Sequence, residues 1–134
     1  FGATTGRRRR CGWLDVVVLR NAARLNGLTG LAITKLDVLG GIDPLLICTG
    51  YRSKSGFVKH FPASLKVLSD CEPIYEEVPG WDADLSGVRR MEDLPTEAVN
   101  YIRRVEELTG VPARIISVGP GRDQTIIREH PFGP

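Results

Sequence analysis

The stretch "LPTEAVNYIRRVEELTGVPARIISVGPGRDQ", residues 94–124, decides the architecture. Pro95, with Thr96 or Glu97 in the first turn, suits a helix start. Ala98, Tyr101, Ile102, Val105 and Leu108 then recur at helical spacing and make one apolar face. Gly110 supplies the stop, because only glycine takes the left-handed closing conformation without a Cβ penalty. Residues 113–118 follow at once as an apolar run of strand length and enter a Gly-Pro-Gly loop. A helix feeding a buried strand is the repeating unit of α/β proteins, and it predicts at least one parallel pairing.

Residues 13–26, "WLDVVVLRNAARLN", carry Leu14, Val17, Val18, Ala22 and Leu25 at helical spacing. The valine triplet argues mildly for a strand, but Asp15 near the start and Gly27 at the end favour a helix. Residues 31–34 and 45–51 read as buried strands, 52–56 as a turn, and 57–78 as short antiparallel strands and loops. Residues 80–95 read as irregular and exposed. The expected fold is α/β, with a mainly parallel sheet flanked by helices and a small antiparallel β region.

The chain has 134 residues, 42% hydrophobic and 25% charged, which suits one domain able to bury roughly two-thirds of its extended-chain surface. The net charge of +2 gives no global basic field for gathering nucleic acid. No apolar run approaches the ~18 residues of a membrane span, and the arginine-rich start lacks the apolar region of a signal peptide. Cys11, Cys48 and Cys71 lie far apart with no C-x-x-C pair, so free, buried or semi-buried thiols in a reducing cytosol are expected rather than zinc. His60 and His130 are isolated and read as surface residues.

Ligands of open α/β sheets bind beyond the carboxyl ends of strands. Two such ends carry polar motifs: "TKLD" at 34–37 and "SVG" at 117–119. A carboxylate such as Asp37 can accept the two adjacent donors of guanine, ring N1–H and exocyclic amine, in one charge-assisted bidentate contact. Adenine has no such donor pair on that edge. Lys35 can lay its aliphatic stem on the ring, and a turn closed by Gly119 can bring backbone N–H groups to the guanine carbonyl. The same residues also fit an ordinary strand-end lysine and a helix-capping aspartate.

The chain opens with "FGATTGRRRRCGWLD", residues 1–15, and four successive arginines beside a helix start. Arginine is suited to holding planar oxyanions bidentately, and the preceding Thr-Thr-Gly adds hydroxyls and a pliant backbone. A carboxylate or phosphate clamp is one reading. A non-catalytic nucleic-acid-binding α/β module using the arginines at 7–10 is another, weakened by near-neutral charge and the lack of interleaved aromatics for base stacking. A plain GTP-binding or regulatory domain is a third, weakened by the lack of a phosphate loop.

These stretches, together with "EPIYEEVPGW" at 72–81 and "IISVGPGRDQTI" at 115–126, resemble the C-terminal part of adenylosuccinate synthetases, in order and along nearly the whole chain. The resemblance implies a P-loop-like α/β enzyme of which residues 1–134 are the C-terminal portion. Phe1 falls inside the arginine motif, so a fragment of a longer protein is expected. The implied activity is GTP-dependent joining of IMP and L-aspartate into adenylosuccinate, with GDP and phosphate released, in purine and AMP biosynthesis. The implied location is the cytoplasm, and the implied assembly a homodimer with no nucleic-acid or membrane partner. Catalytic residues and Mg2+ ligands would lie in the N-terminal part, with none in this segment, so the segment alone is expected to be inactive. A substrate loop, 1–12, would bind L-aspartate and IMP through Ala3, Thr4, Thr5, Gly6, Arg7, Arg8 and Arg9. Thr4 and Thr5 would contact the aspartate carboxylates, Arg7 would contact aspartate and the IMP ribose, and Arg9 would reach toward the GTP phosphates. Arg8 and Arg10 receive no contact of their own. Guanine would be held by elements 34–37 and 117–119, through Lys35, Leu36, Asp37, Ser117, Val118 and Gly119. Val118 stands where the family more often has a polar residue; backbone contacts there would be unaffected.

Overall fold

Asp15 ends a two-residue strand, β1 (Leu14–Asp15), and caps the helix that follows, α1 (Val16–Asn26). The computed structural model describes residues 1–2 and 5–130. One carboxylate oxygen of Asp15 accepts the backbone N–H of Val17 at 2.9 Å and of Val18 at 3.1 Å. The other accepts the Tyr51 hydroxyl at 2.6 Å. One side chain therefore satisfies two orphan helix donors and a buried phenol. Burial first, and then this bond to Asp15, push the Tyr51 hydroxyl's pKa well above its ordinary value. Gly27, at φ 60°, closes α1 and returns its N–H to the Ala23 carbonyl.

Because β1 takes Leu14 and Asp15, the helix starts three residues later than its apolar spacing predicts. Its buried face runs through Val16, Val17 and Ala23, while Val18 and Leu25 face solvent. Asp15→Ala removes the cap and strands the Tyr51 hydroxyl; caps of this kind are worth about 1 kcal/mol. The expected result is roughly tenfold or greater loss of hydrogen-exchange protection at Val17 and Val18, measured against unchanged protection at residues 72–78 and 96–109.

The remaining elements are β2 (Leu31–Ile33), β3 (Leu45–Ser53), β4 (Gly56–Val58), α2 (Leu65–Ser69), β5 (Glu72–Val78), α3 (Thr96–Thr109), β6 (Ala113–Ser117) and β7 (Thr125–Ile127). They form two sheets. In the first, β3 pairs parallel with β1 and antiparallel with β4 and β5. In the second, β6 lies between β2, parallel, and β7, antiparallel. The α/β class expected from sequence holds. Each sheet contains one parallel pairing, and the antiparallel part is larger than expected because β5 runs along most of β3.

The main core joins both sheets through α1 and α3. It contains Val16, Leu36, Leu45, Ile47, Ile102, Val105, Ile116 and Val118, each essentially inaccessible to solvent. α3 buries Ala98, Tyr101, Ile102 and Val105, as its periodicity predicts, and ends at Gly110 with φ 72°. Arg20 of α1 donates Nε–H to the Leu108 carbonyl at 2.6 Å, placing a cation at the negative end of α3. Arg104 of α3 grips Glu76 of β5 bidentately, at 2.7 and 2.9 Å. That hydrogen bonding holds the Glu76 carboxyl below its ordinary pKa.

Three local expectations are corrected. Residues 80–95 are irregular, but Trp81, Leu85 and Leu94 are buried in the main core. For Trp81 the partner is distant in sequence: its ring meets that of Tyr101 on α3 edge to face at 6.0 Å. Residues 57–78 contain the short helix α2 besides strands. Cys11 is exposed, while Cys48 is buried and Cys71 half-buried. Burial first, then the nearby Asp15 charge, raise the Cys48 thiol's pKa, which makes it a poor nucleophile. His60 and His130 are exposed, as expected. No helix among the described residues is long and apolar enough to cross a membrane.

Candidate functional site: two strand ends and an arginine loop

β2 and β6 run parallel, with Ala32 opposite Ile115 and Ile33 opposite Ile116. Both chains therefore leave the sheet at the same end. Lys35, Leu36 and Asp37 follow from one strand, and Val118 and Gly119 from its neighbour. Two motifs about eighty residues apart in sequence are thereby brought to one carboxyl edge, where α/β sheets bind ligands.

The first motif is a strained turn. Lys35 has φ 64° and ψ 33°, the one non-glycine residue with positive φ among the described residues. A side chain in that region costs roughly 1–2 kcal/mol. Leu36, 1% exposed, follows directly, and burying a leucine is worth roughly 1.5–3 kcal/mol, enough to hold the turn. Residues Leu36–Leu39 then make a single 3-10 turn. The result exposes Lys35 and Asp37 on either side of a buried anchor. Asp37 has no ion-pair partner among the described residues, so its carboxylate is available to a ligand. Leu36 can meet a ligand through its backbone alone.

The second motif is a closed turn. The Ser117 hydroxyl donates to the Gly119 carbonyl at 2.8 Å, and the Val118 N–H donates to the Gln124 carbonyl at 2.9 Å. The Val118 side chain is fully buried in the core. A turn expected to present several N–H groups thus has that of Val118 already engaged. The Gly119 N–H is the donor left over, without a partner among the described residues. A Cβ at 119 would overlap the side-chain amide of Gln124, so a larger residue there displaces that amide. Gln124 lies outside the sequence-derived set. Its signal, a glutamine five residues after a strand-end glycine, is too common to stand out.

The arginine loop is attached to the other sheet, through β1. It folds back on itself: Gly2 donates to the Arg7 carbonyl and Gly6 to the Gly2 carbonyl, both at 2.8 Å. Gly6 takes φ 59°, which the reversal requires. A methyl group on Gly2 would lie 3.0 Å from Thr5 Oγ1 and 3.1–3.2 Å from two guanidinium nitrogens of Arg9. Thr5 and Arg9 therefore crowd the same side of the reversal. The arginines at 7–10 are exposed and make no ion pair among the described residues. Such unpartnered cations on a closed loop suit an incoming anion. Ala3 and Thr4 lie outside the described residues. Between the loop's β1 and the β2 edge runs an apolar cavity of about 280 Å3, bordered by Leu14, Leu19, Thr34, Leu36 and Tyr101.

No group of three or more His, Cys, Asp or Glu side chains among the described residues could hold a metal ion.

The fold and these loops define an α/β protein with two polar turns at the carboxyl end of adjacent parallel strands and a cationic loop attached to a second sheet. The family model for adenylosuccinate synthetase matches residues 1–126. The chain belongs to the adenylosuccinate synthetase family. It is 64% identical over 132 residues to the adenylosuccinate synthetases of Moorella thermoacetica and of Desulfatibacillum aliphaticivorans, covering 98% of this chain in each comparison. A fully ligated adenylosuccinate synthetase from Plasmodium falciparum superposes with a TM-score of 0.89 at 34% identity, over 96% of this chain. The chain spans 31% of the length of each of these three proteins.

Proposed function

We propose that the full-length protein carrying this segment is a GTP-dependent ligase joining IMP and L-aspartate. In this reading the γ-phosphoryl of GTP passes to the 6-oxygen of IMP. The aspartate amine then bonds to C6 as the C6–O bond breaks, releasing phosphate and leaving adenylosuccinate and GDP. The groups that move protons and the ligands of Mg2+ belong to parts of the protein outside this segment. Bound there, Mg2+ would offset charge on the nucleotide phosphates.

This segment would supply binding and orientation. Asp37 accepts guanine N1–H and the exocyclic amine, Lys35 lies along the ring, and the Gly119 N–H donates to the guanine carbonyl. Leu36, Ser117 and Val118 shape that turn pair from behind. Thr4, Thr5 and Arg7 hold the carboxylates of L-aspartate, Arg7 also touches the IMP ribose, and Arg9 faces the GTP phosphates. Ala3, Gly6 and Arg8 complete the loop. Several anions must converge for the reaction, and guanidinium groups closing over them offset their repulsion and hold the amine near C6. The protein would act as a cytoplasmic homodimer without nucleic-acid or membrane partners.

The observation that supports the reading is the Ile33–Ile116 register, which puts the turns bearing Asp37 and Gly119 at the same edge of one sheet. It is tested by following adenylosuccinate formation with the full-length protein while IMP, aspartate and GTP are omitted in turn. Turnover should require all three, and ATP should replace GTP poorly. Turnover without IMP or without aspartate would overturn it.

A further inference from the structure

Residues 80–89 touch both strand-end turns. On one side, the Gly41 N–H donates to the Trp81 carbonyl at 2.8 Å, and the Gly80 N–H donates to Asp43 Oδ1 at 2.9 Å. Gly80 passes so close that a Cβ there would overlap the Ile42 carbonyl. These contacts clasp residues 41–43, directly after the turn that carries Asp37, and Trp81 roots the clasp in the core. On the other side, Gln124 Nε2 donates to the Ser86 carbonyl at 3.1 Å, and Arg89 pairs with Asp123 at 2.6 Å. Gln124 also accepts the Gly121 N–H at 2.8 Å through Oε1, receives the Val118 N–H on its own carbonyl, and packs its amide against Gly119.

We propose that residues 80–89 form a strap coupling the two halves of the guanine site, and that Gln124 is the positioning residue that aims the Gly119 N–H. This rests on the guanine reading above. Gln124 itself touches no base. Its acceptor holds the Gly121 backbone, its donor ties that backbone to the strap, and its bulk fixes the path of residue 119. A discriminating hydrogen bond needs its donor held in place before the ligand arrives, so loosening this tie weakens guanine recognition and leaves the other substrates alone.

The test uses the full-length protein and the steady-state constants for all three substrates. Gln124→Ala should raise the KM for GTP about tenfold and narrow the preference for GTP over ATP. The KM for IMP, the KM for aspartate and kcat should stay within about twofold, a split that general destabilisation does not produce. Gln124→Glu keeps the acceptor for Gly121 but loses the donor to Ser86, so its effect should be intermediate. Asp123→Lys turns the Arg89 pair into a repulsion and should raise the KM for GTP about threefold by releasing the strap at the same end. Should Gln124→Ala fail to fold, Asp123→Lys decides: an unchanged KM for GTP overturns the strap. If Asp37→Asn weakens GTP while Gln124→Ala and Asp123→Lys do not, the strap is wrong and the guanine reading stands. If Asp37→Asn also leaves GTP unaffected, the guanine reading fails and the strap with it.

Discussion

Replacing Asp37 by asparagine in the full-length protein should raise the KM for GTP by roughly thirtyfold or more. A carboxylate offers two acceptors to guanine's two donors, whereas an amide offers one acceptor and turns a donor against the other. Hydrogen bonds to charged groups are worth about 1.5–3 kcal/mol, and each 1.4 kcal/mol is tenfold. The amide's pattern instead matches xanthine, which has one donor and one carbonyl on that edge. Asp37→Asn should therefore gain activity with XTP as it loses it with GTP. The advantage of GTP over ITP, which lacks the exocyclic amine, should also shrink. Competition kinetics among the three nucleotides measure this, and an unchanged GTP-to-ITP ratio would remove Asp37 from the base site. The argument depends on the turn at Lys35, where a backbone strained to φ 64° is held by the burial of Leu36 and sets Asp37 out from the sheet edge.

Arg7→Leu should raise the KM for L-aspartate more than tenfold, the scale of one charge-assisted contact or more. The KM for GTP should change less, because Arg7 is read as an aspartate and ribose contact. Arg10→Leu, at the far end of the same run, should leave the KM for aspartate within about twofold. Together the pair separates a specific clamp from a general positive field: a field would respond to either loss equally and would fade with added salt. Equal effects of the two substitutions, or an unchanged KM for aspartate in Arg7→Leu, would refute the clamp. The geometry favours a clamp, since Gly2, Gly6 and Arg7 close the loop through their own backbone and leave the guanidinium groups unpaired with any described carboxylate.

Much of this was readable in the chain because local rules govern it. The helix from Thr96 to Thr109 follows from apolar residues at helical spacing between a proline and a left-handed glycine, all within one window. The strand at 113–117 and its polar exit are equally local. The motifs at 34–37 and 117–119 were recognisable by composition, as was the arginine loop. The start of α1 was misplaced because nothing local tells Leu14 and Asp15 that they will pair with Ile47 and Cys48, more than thirty residues away.

The α/β class, the long helix and the chemical types of the polar groups at 34–37, 117–119 and 7–10 are legible along the chain, since periodicity, caps and side-chain chemistry act over a few residues. Which of those groups share a sheet edge, and which donors remain free, follows only once the elements pack. The β2–β6 register, the burial of Trp81 beneath α3, the engagement of the Val118 N–H and the reach of Gln124 to Ser86 each join residues that are distant in the chain or whose turn is closed from outside. Such contacts form when whole elements pack, so they follow from the combined burial of both sheets and not from any single stretch.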